Sequence, residues 1–280
     1  MNGDPLVDAT RRLAAAGIDS ARTEARLLWS FARDVEASAL VARDEGRVAA
    51  LFESLIRRRL AHEPLAYIVG HKEFWSLDFV VGPGVLVPRP DSETLLEAMC
   101  KSFSDKSAPI SILDLGVGSG CLLIAALMEY PNAHGVGVEQ SKDALAWAAR
   151  NVALHRMEAR ATLIESGWIE EATPGFDVLL CNPPYVASAE IADLEPDVRL
   201  YEPRSALDGG VDGLNAYRAL APRIGQLLKP QGRVFLEMGA GQDASFCAIL
   251  DGAGLKVSSI VPDLAGIPRC VVAGQAIPGR

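Results

Sequence analysis

The sequence predicts an α/β protein, an open sheet with helices between its strands, preceded by a small all-helical region. Two observations carry this expectation. From residue 89 onward, short Val/Ile/Leu-rich runs alternate with helical stretches, which is how strands buried on both faces read. Before residue 70, apolar residues recur instead at three- and four-residue steps.

In the helical region the steps are Leu6, Ala9, Leu13, then Ala25, Leu28, Phe31, then Val48, Leu51, Leu55, with Gly17, Asp19 and Gly46 as punctuation. Residues 1–69 are therefore expected to form one helical domain. Residues 70–88 change character. The stretch from Glu73 to Val81 is strand-like, Gly82-Pro-Gly84 reads as a turn, and Val85 to Val87 runs extended again, so a β-hairpin linker is expected here. Residues 89–280 then form the sheet domain. Its seven expected strands are Ser111–Leu115, Gly135–Glu139, Ala161–Glu165, Asp177–Cys181, Arg233–Glu237, Val257–Val261 and Cys270–Ala273. Helices are expected at Leu122–Glu129, Asp143–Leu154, Leu214–Leu228 and Asp243–Leu250. In such a sheet, ligands bind outside the carboxyl ends of the strands.

Composition narrows the function. The formal net charge is -9, and residues 81–280 carry most of it, with 16 Lys and Arg against 24 Asp and Glu. A duplex-binding surface neutralises phosphates with basic side chains, so this half is poorly suited to grip nucleic acid. The longest apolar run, Cys121 to Met128, is far short of the roughly 18 residues of a membrane span. No basic flank and apolar stretch open the chain, so no secretory signal is expected. Five scattered cysteines, at 100, 121, 181, 247 and 270, form no C-x-x-C pair and point to a reducing, cytoplasmic setting without a zinc site. The four histidines stand at no ligand spacing, and no metal is expected.

The sharpest motif is Ile112-Leu-Asp-Leu-Gly-Val-Gly-Ser-Gly120, a strand running into a glycine-rich turn that opens a helix. Glycines admit positive φ and let a ligand approach the backbone closely. The next strand ends at Glu139, 23 residues after Gly116, where a carboxylate can accept hydrogen bonds from a ribose diol. The turn is not a P-loop, since no Gly-Lys-Ser/Thr follows, nor the strict G-x-G-x-x-G of dinucleotide enzymes. It looks like the first motif of the S-adenosyl-L-methionine-dependent methyltransferases.

The fourth strand runs into Asn182-Pro-Pro-Tyr185. Proline fixes φ and contributes no N–H, so this loop presents acceptors, the Asn182 side-chain oxygen and the Pro183 carbonyl. Two acceptors suit an amide or aniline nitrogen, whose lone pair is delocalised and whose two N–H groups must be held while a methyl group arrives. Tyr185 can cover the flat face of such a group.

Asn-Pro-Pro-Tyr after this cofactor motif resembles both adenine-amine and glutamine-amide methyltransferases. Further blocks favour the second: Glu63-Pro-Leu-Ala-Tyr-Ile-Val-Gly70, Glu73-Phe-Trp75, Val87-Pro-Arg-Pro-Asp-Ser-Glu93, Asp197-Val-Arg-Leu-Tyr-Glu-Pro-Arg-Ser-Ala-Leu207 and Asp263-Leu-Ala-Gly-Ile-Pro-Arg269. Together they resemble the PrmC/HemK family of peptide chain release factor glutamine methyltransferases from about residue 60 to the end. The resemblance implies a seven-stranded, Rossmann-like class I methyltransferase domain behind a helical N-terminal domain that recognises substrate. It implies methylation of the glutamine in the Gly-Gly-Gln loop of bacterial-type class I release factors, leaving S-adenosyl-L-homocysteine. It places Gly116, Val117, Gly118, Ser119, Gly120, Glu139 and Asn182 on the cofactor, with Trp168 against the adenine. Asn182, Pro183, Pro184 and Tyr185 form the glutamine pocket, with Asn182, Pro183 and Tyr185 as the catalytic set. Gly167 stands where family members often have Asp, so either another group meets the adenine amine or the adenine is held more weakly. No direct contact with nucleic acid or membrane is expected, and the chain is expected to act as a monomer. A ribosomal-protein glutamine methyltransferase and an adenine-amine methyltransferase are the alternatives.

Other residues admit two readings. Arg57-Arg58-Arg59 is either a solvated helix face or a patch for an acidic partner. Arg89 and Glu93 either shape the substrate channel or start a helix. Arg204 either ties a loop over the substrate or forms a structural salt bridge. Cys181 reads as a packed strand cysteine.

Overall fold

The computed structural model describes residues 4–38, 45–167 and 174–275, and the chain divides into two compact units. The first comprises residues 1–71 with 195–201. Its helices are α1 (Pro5–Ala15), α2 (Ala21–Ser38), α3 (Glu45–Leu60) and α4 (Leu65–Val69). The helical periodicity becomes its core: Ala9, Leu13, Ala25, Leu28, Val48, Phe52, Leu55 and Ile56 are all buried together. Asp4 caps α1, its side chain accepting the Leu6 N–H, with Pro5 at the first position. The three arginines divide: Arg57 is exposed as a solvated helix face predicts, Arg58 is half-buried, and Arg59 is buried. Arg57 pairs with Glu53 and Arg58 with Glu63, while Arg59 is buried against Glu24 and reaches Asp197 at 3.5 Å. That Asp197 lies near the start of α8 (Pro196–Tyr201), whose Tyr201 hydroxyl donates to the Ala61 carbonyl.

The second unit comprises residues 72–194 and 202–280. A two-stranded sheet, β1 (His71–Phe74) and β2 (Leu77–Val80), leads into it. The hairpin lies within the expected stretch 70–88, but its turn differs from the expected one. Its turn is Trp75-Ser76, both at positive φ (53° and 57°), rather than Gly82-Pro-Gly84, and Val85 to Val87 form no strand. Non-glycine residues rarely occupy this region. Here tertiary bonds hold them: Trp75 N–H donates to Glu93, its indole N–H to Glu129, and Ser76 N–H to Glu73. Glu93 therefore braces this turn. Gly82 instead allows close packing, since a Cβ there would sit 2.5 Å from the Trp147 ring.

After α5 (Glu93–Ser102) the chain alternates β3 (Ser111–Leu115), α6 (Cys121–Glu129), β4 (His134–Glu139), α7 (Lys142–Leu154), β5 (Ala161–Glu165) and β6 (Phe176–Cys181). It continues through α9 (Asn215–Leu227), β7 (Leu228–Glu237), α10 (Asp243–Gly252), β8 (Leu255–Pro262) and β9 (Pro268–Gln275). The seven strands lie in the order β5-β4-β3-β6-β7-β9-β8, parallel except for β9, which runs antiparallel to both neighbours. All seven expected strands are present, each with a core within the expected range. Ile112, Leu113 and Leu115 have no exposed surface, as a strand covered on both faces requires. The apolar run from Leu122 to Leu127 is a buried core helix, and no helix among the described residues is long and apolar enough to cross a membrane.

This strand order positions the site. β3 begins the sheet and β4 and β5 extend it one way, whereas β6 returns to β3's other edge. The order reverses between β3 and β6, and a crevice opens there. Leu115 is in register with Cys181, so Gly116 and Asn182 leave neighbouring strand ends about 4.8 Å apart.

Candidate active site

The glycine turn is built as its sequence requires. Gly116, Gly118 and Gly120 all have positive φ, at 71°, 55° and 84°. Gly116 and Val117 N–H groups donate to the Val138 carbonyl, and Gly120 caps α6. The Glu139 carboxylate braces this turn: one oxygen accepts the Gly118 N–H at 3.0 Å and the other the Ser141 N–H at 2.9 Å. Each carboxylate oxygen has a second lone pair, so the group retains capacity for a ligand. Ser141, recognisable as a cap ahead of an apolar helix, accepts the Ala144 N–H at the start of α7.

Asn151 holds the far side of the turn. It is fully buried, donates to the Ser119 carbonyl at 2.8 Å, and exchanges two bonds with the Val80 backbone. Asp114, two residues before Gly116, accepts the Leu123 N–H through one oxygen. Its other oxygen is the one buried side-chain polar atom among the described residues without a partner. Burial, followed by the charge of Glu139, pushes the Asp114 carboxyl up to about 7.

Beside the turn lies a cleft. Gly116, Val117, Gly118, Ser119 and Glu139 line it, as do Asn182 and Pro184. Gly120, Pro183 and Tyr185 do not: Gly120 serves the helix start, Pro183 is buried, and Tyr185 is half-buried. Trp168 lies outside the described residues, and the neighbouring Gly167 is exposed. Among the described residues no cluster of His, Cys, Asp and Glu could hold a metal ion.

Asn182 Nδ2 donates to Ser92 Oγ at 3.0 Å, which leaves Oδ1 as the free end of the amide. The Tyr185 hydroxyl donates to Glu237 at 3.0 Å, and its carbonyl accepts from Gln242 Nε2. Burial and the nearby Glu237 charge hold the Tyr185 phenol well above its ordinary value, so it stays protonated. Cys181 is buried, and burial raises its thiol far above the usual range, which leaves it a packing residue.

The rim of the cleft joins two blocks of sequence. Glu202, on a nearly buried side chain, accepts the Val87 N–H and pairs with Arg89 at 2.5 Å. Arg89 thus shapes the wall through an ion pair. Arg204 pairs with Asp208, which also accepts from Ser188 and the Gly210 N–H, an exposed brace of the loop after β6. Ser92, Asn151, Glu202 and Glu237 escape sequence reasoning, because each acts through a partner far along the chain.

The comparisons agree with this architecture. The model of the PrmC N-terminal domain matches residues 5–70, and that of the methyltransferase small domain matches residues 89–195. A release factor glutamine methyltransferase of Cereibacter sphaeroides is 41% identical over 275 residues, covering 96% of this chain and 97% of that protein. One from Caulobacter vibrioides is 39% identical over 269 residues, covering 94% and 93%. Among solved structures, the hMettl16 catalytic domain aligns with a TM-score of 0.61 at 13% identity, covering 81% of this chain and 84% of that one; at this identity the likeness is of fold alone. With the glycine turn and the Asn-Pro-Pro-Tyr loop on adjacent strands and identity near 40% over almost the whole length, the chain belongs to the family of release factor glutamine methyltransferases.

Proposed function

We propose that this protein transfers a methyl group from S-adenosyl-L-methionine to the side-chain amide nitrogen of the glutamine in the Gly-Gly-Gln loop of bacterial-type class I release factors. The observation that carries this reading is the pairing of a glycine turn with a free amide oxygen, Asn182 Oδ1, on one cleft wall. The residues present suit the cofactor. Gly116, Gly118 and Glu139 line the cleft beside the turn, where a ligand can approach the backbone closely. Glu139 has acceptor capacity for a ribose. When bound, the cofactor supplies an electrophilic methyl group on a sulfonium.

The chain's own residues then position and polarise. Asn182 Oδ1 and the Pro183 carbonyl accept the two amide N–H groups, and Tyr185 covers the amide face. Orientation of this kind accounts for about 7–11 kcal/mol of barrier in well-placed reactions. Oriented hydrogen bonds where charge develops contribute about 2–4 kcal/mol more. No metal or covalent intermediate is needed to reach a useful rate. Residues 1–69 are assigned to holding the protein partner; cross-links that map elsewhere only would remove that assignment.

The test is methylation with labelled S-adenosyl-L-methionine and purified release factor, with the Gln→Ala variant of its Gly-Gly-Gln loop and duplex DNA as controls. Label on the wild-type factor alone is expected. Label on DNA would replace this reading with the adenine-amine alternative. A second expectation concerns Glu139. Glutamine there can accept only one of the two backbone N–H groups and loses the charge. Glu139→Gln should raise the cofactor Kd by about 10–100-fold, since one charge-assisted bond contributes about 1.5–3 kcal/mol. Calorimetric titration measures it, and an unchanged Kd would remove Glu139 from the cofactor site.

A further inference from the structure

Glu237 ends β7 with no exposed surface, and nothing in the transfer as derived uses it. One of its oxygens accepts from Ser92 Oγ at 2.5 Å and the other from the Tyr185 hydroxyl at 3.0 Å. Its own carbonyl accepts from the Tyr217 hydroxyl at 3.0 Å. Ser92, almost fully buried in the 3₁₀ turn that precedes α5, is the same residue that receives Asn182 Nδ2. Four groups from three chain segments therefore form one line: Tyr185, Glu237, Ser92, Asn182.

We propose that Glu237 and Ser92 are positioning residues for the transfer: they fix the polarity of the Asn182 amide so that its oxygen, and never its NH₂, faces the acceptor nitrogen. The inference rests on the reading of Asn182 as acceptor for the substrate amide. The reasoning follows from donor counts. An ionised carboxylate only accepts, and a serine hydroxyl has one proton. Ser92 spends that proton on Glu237, so it meets Asn182 with lone pairs. Only the Nδ2 end of Asn182 can approach it, and Oδ1 is left toward the cleft. A flipped Asn182 would set two acceptors against each other in a dry site and would present N–H groups to a substrate that itself needs acceptors. The same carboxylate anchors Tyr185, so one buried group orients two of the three residues that hold the amide.

The polarity depends on Glu237 being ionised. Burial pushes its carboxyl up to about 7, opposed by the bonds from Ser92 and Tyr185 and by the charge of Arg269, with Asp91 acting in the upward direction. The titratable groups around it are Asp91 beside Ser92, Tyr185 in the loop after β6, Tyr217 on α9, Arg269 and Cys270 on β9, Cys181 on β6 and Cys121 on α6. Arg269 is itself paired with Asp91 and Asp263. Once protonated, Glu237 must donate one bond. Ser92 can then turn its proton toward Asn182 and donate to Oδ1, the wrong end of the amide. Turnover should therefore rise with pH through the neutral region.

The experiment measures kcat, the KM for release factor, cofactor Kd and Tm for wild type, Ser92→Ala, Ser92→Thr, Glu237→Gln and Asn182→Ala across pH 6 to 9. Ser92→Ala should lower kcat about 10–100-fold, the scale of a small misplacement of a positioned group, with cofactor Kd near wild type. Ser92→Thr keeps the hydroxyl and should restore most of the rate. Glu237→Gln should lower kcat and abolish the neutral limb of the pH profile. The proposal is overturned if Ser92→Ala retains wild-type kcat and pH profile, or if threonine fails to rescue a folded Ser92→Ala enzyme. A near wild-type rate in Asn182→Ala would instead overturn the underlying reading of Asn182. An inactive Asn182→Ala beside a fully active Ser92→Ala overturns only the positioning role.

Discussion

Asn182→Ala should lower kcat by about 10²–10³-fold, the loss typical of removing one preorganised hydrogen-bonding group aimed at developing charge. The substitution deletes the oxygen proposed to hold the substrate nitrogen and little else. Asn182 is half-buried, and its side chain makes one hydrogen bond, to Ser92, so the fold and Tm should change little. Cofactor affinity should fall less than turnover, because the glycine turn and Glu139 remain. Asn182→Asp sharpens the test. It retains an oxygen but places a carboxylate against the Ser92 lone pairs, so it should also be slow despite being isosteric. Single-turnover methylation of release factor reads the chemical step directly. A folded Asn182→Ala enzyme with near wild-type turnover would show that the amide is held by other groups.

The centre of the sheet was legible because strands such as β3 and β6 are covered on both faces. Such strands have no polar face to show, so they appear as short apolar runs such as Ile112 to Leu115, broken by Asp114. The glycine turn was legible because positive φ at three alternate positions leaves one residue type without strain. The hairpin was not. Trp75 and Ser76 have no intrinsic preference for a tight turn, and their conformation is fixed by Glu93 and Glu129, 18 and 54 residues from Trp75. The supports of the candidate site were invisible for the same reason. Ser92 meets Glu237 across 145 residues, and Glu202 meets Val87 across 115. A buried glutamate at a strand end or a serine after Pro-Asp carries no local signature. Only the fold brings the pair together. The arginine run shows the converse error: charge in sequence suggested an outward face, yet Arg59 is held inside by Glu24.

Asn151→Leu should destabilise the sheet unit by about 2–4 kcal/mol, although leucine matches asparagine in size and the site is dry. Hydrophobic transfer favours the substitution; the hydrogen bonds decide against it. Asn151 serves three backbone groups, the Val80 N–H and carbonyl and the Ser119 carbonyl. Leucine satisfies none. A buried group left without its partner costs about 1–3 kcal/mol. The two Val80 groups lie near the surface and recover part of that from water, whereas Ser119 is buried and does not. For a unit of this size the loss should lower Tm by roughly 5–15 °C. The functional consequence separates this variant from an ordinary core defect. Ser119 sits in the turn between Gly118 and Gly120, so releasing its carbonyl loosens the surface proposed to meet the cofactor. Cofactor Kd should rise even well below Tm, with kcat at saturation largely retained. That pattern is the reverse of Asn182→Ala, and the two variants together divide the cleft into a wall that holds the methyl donor and a wall that holds the nitrogen.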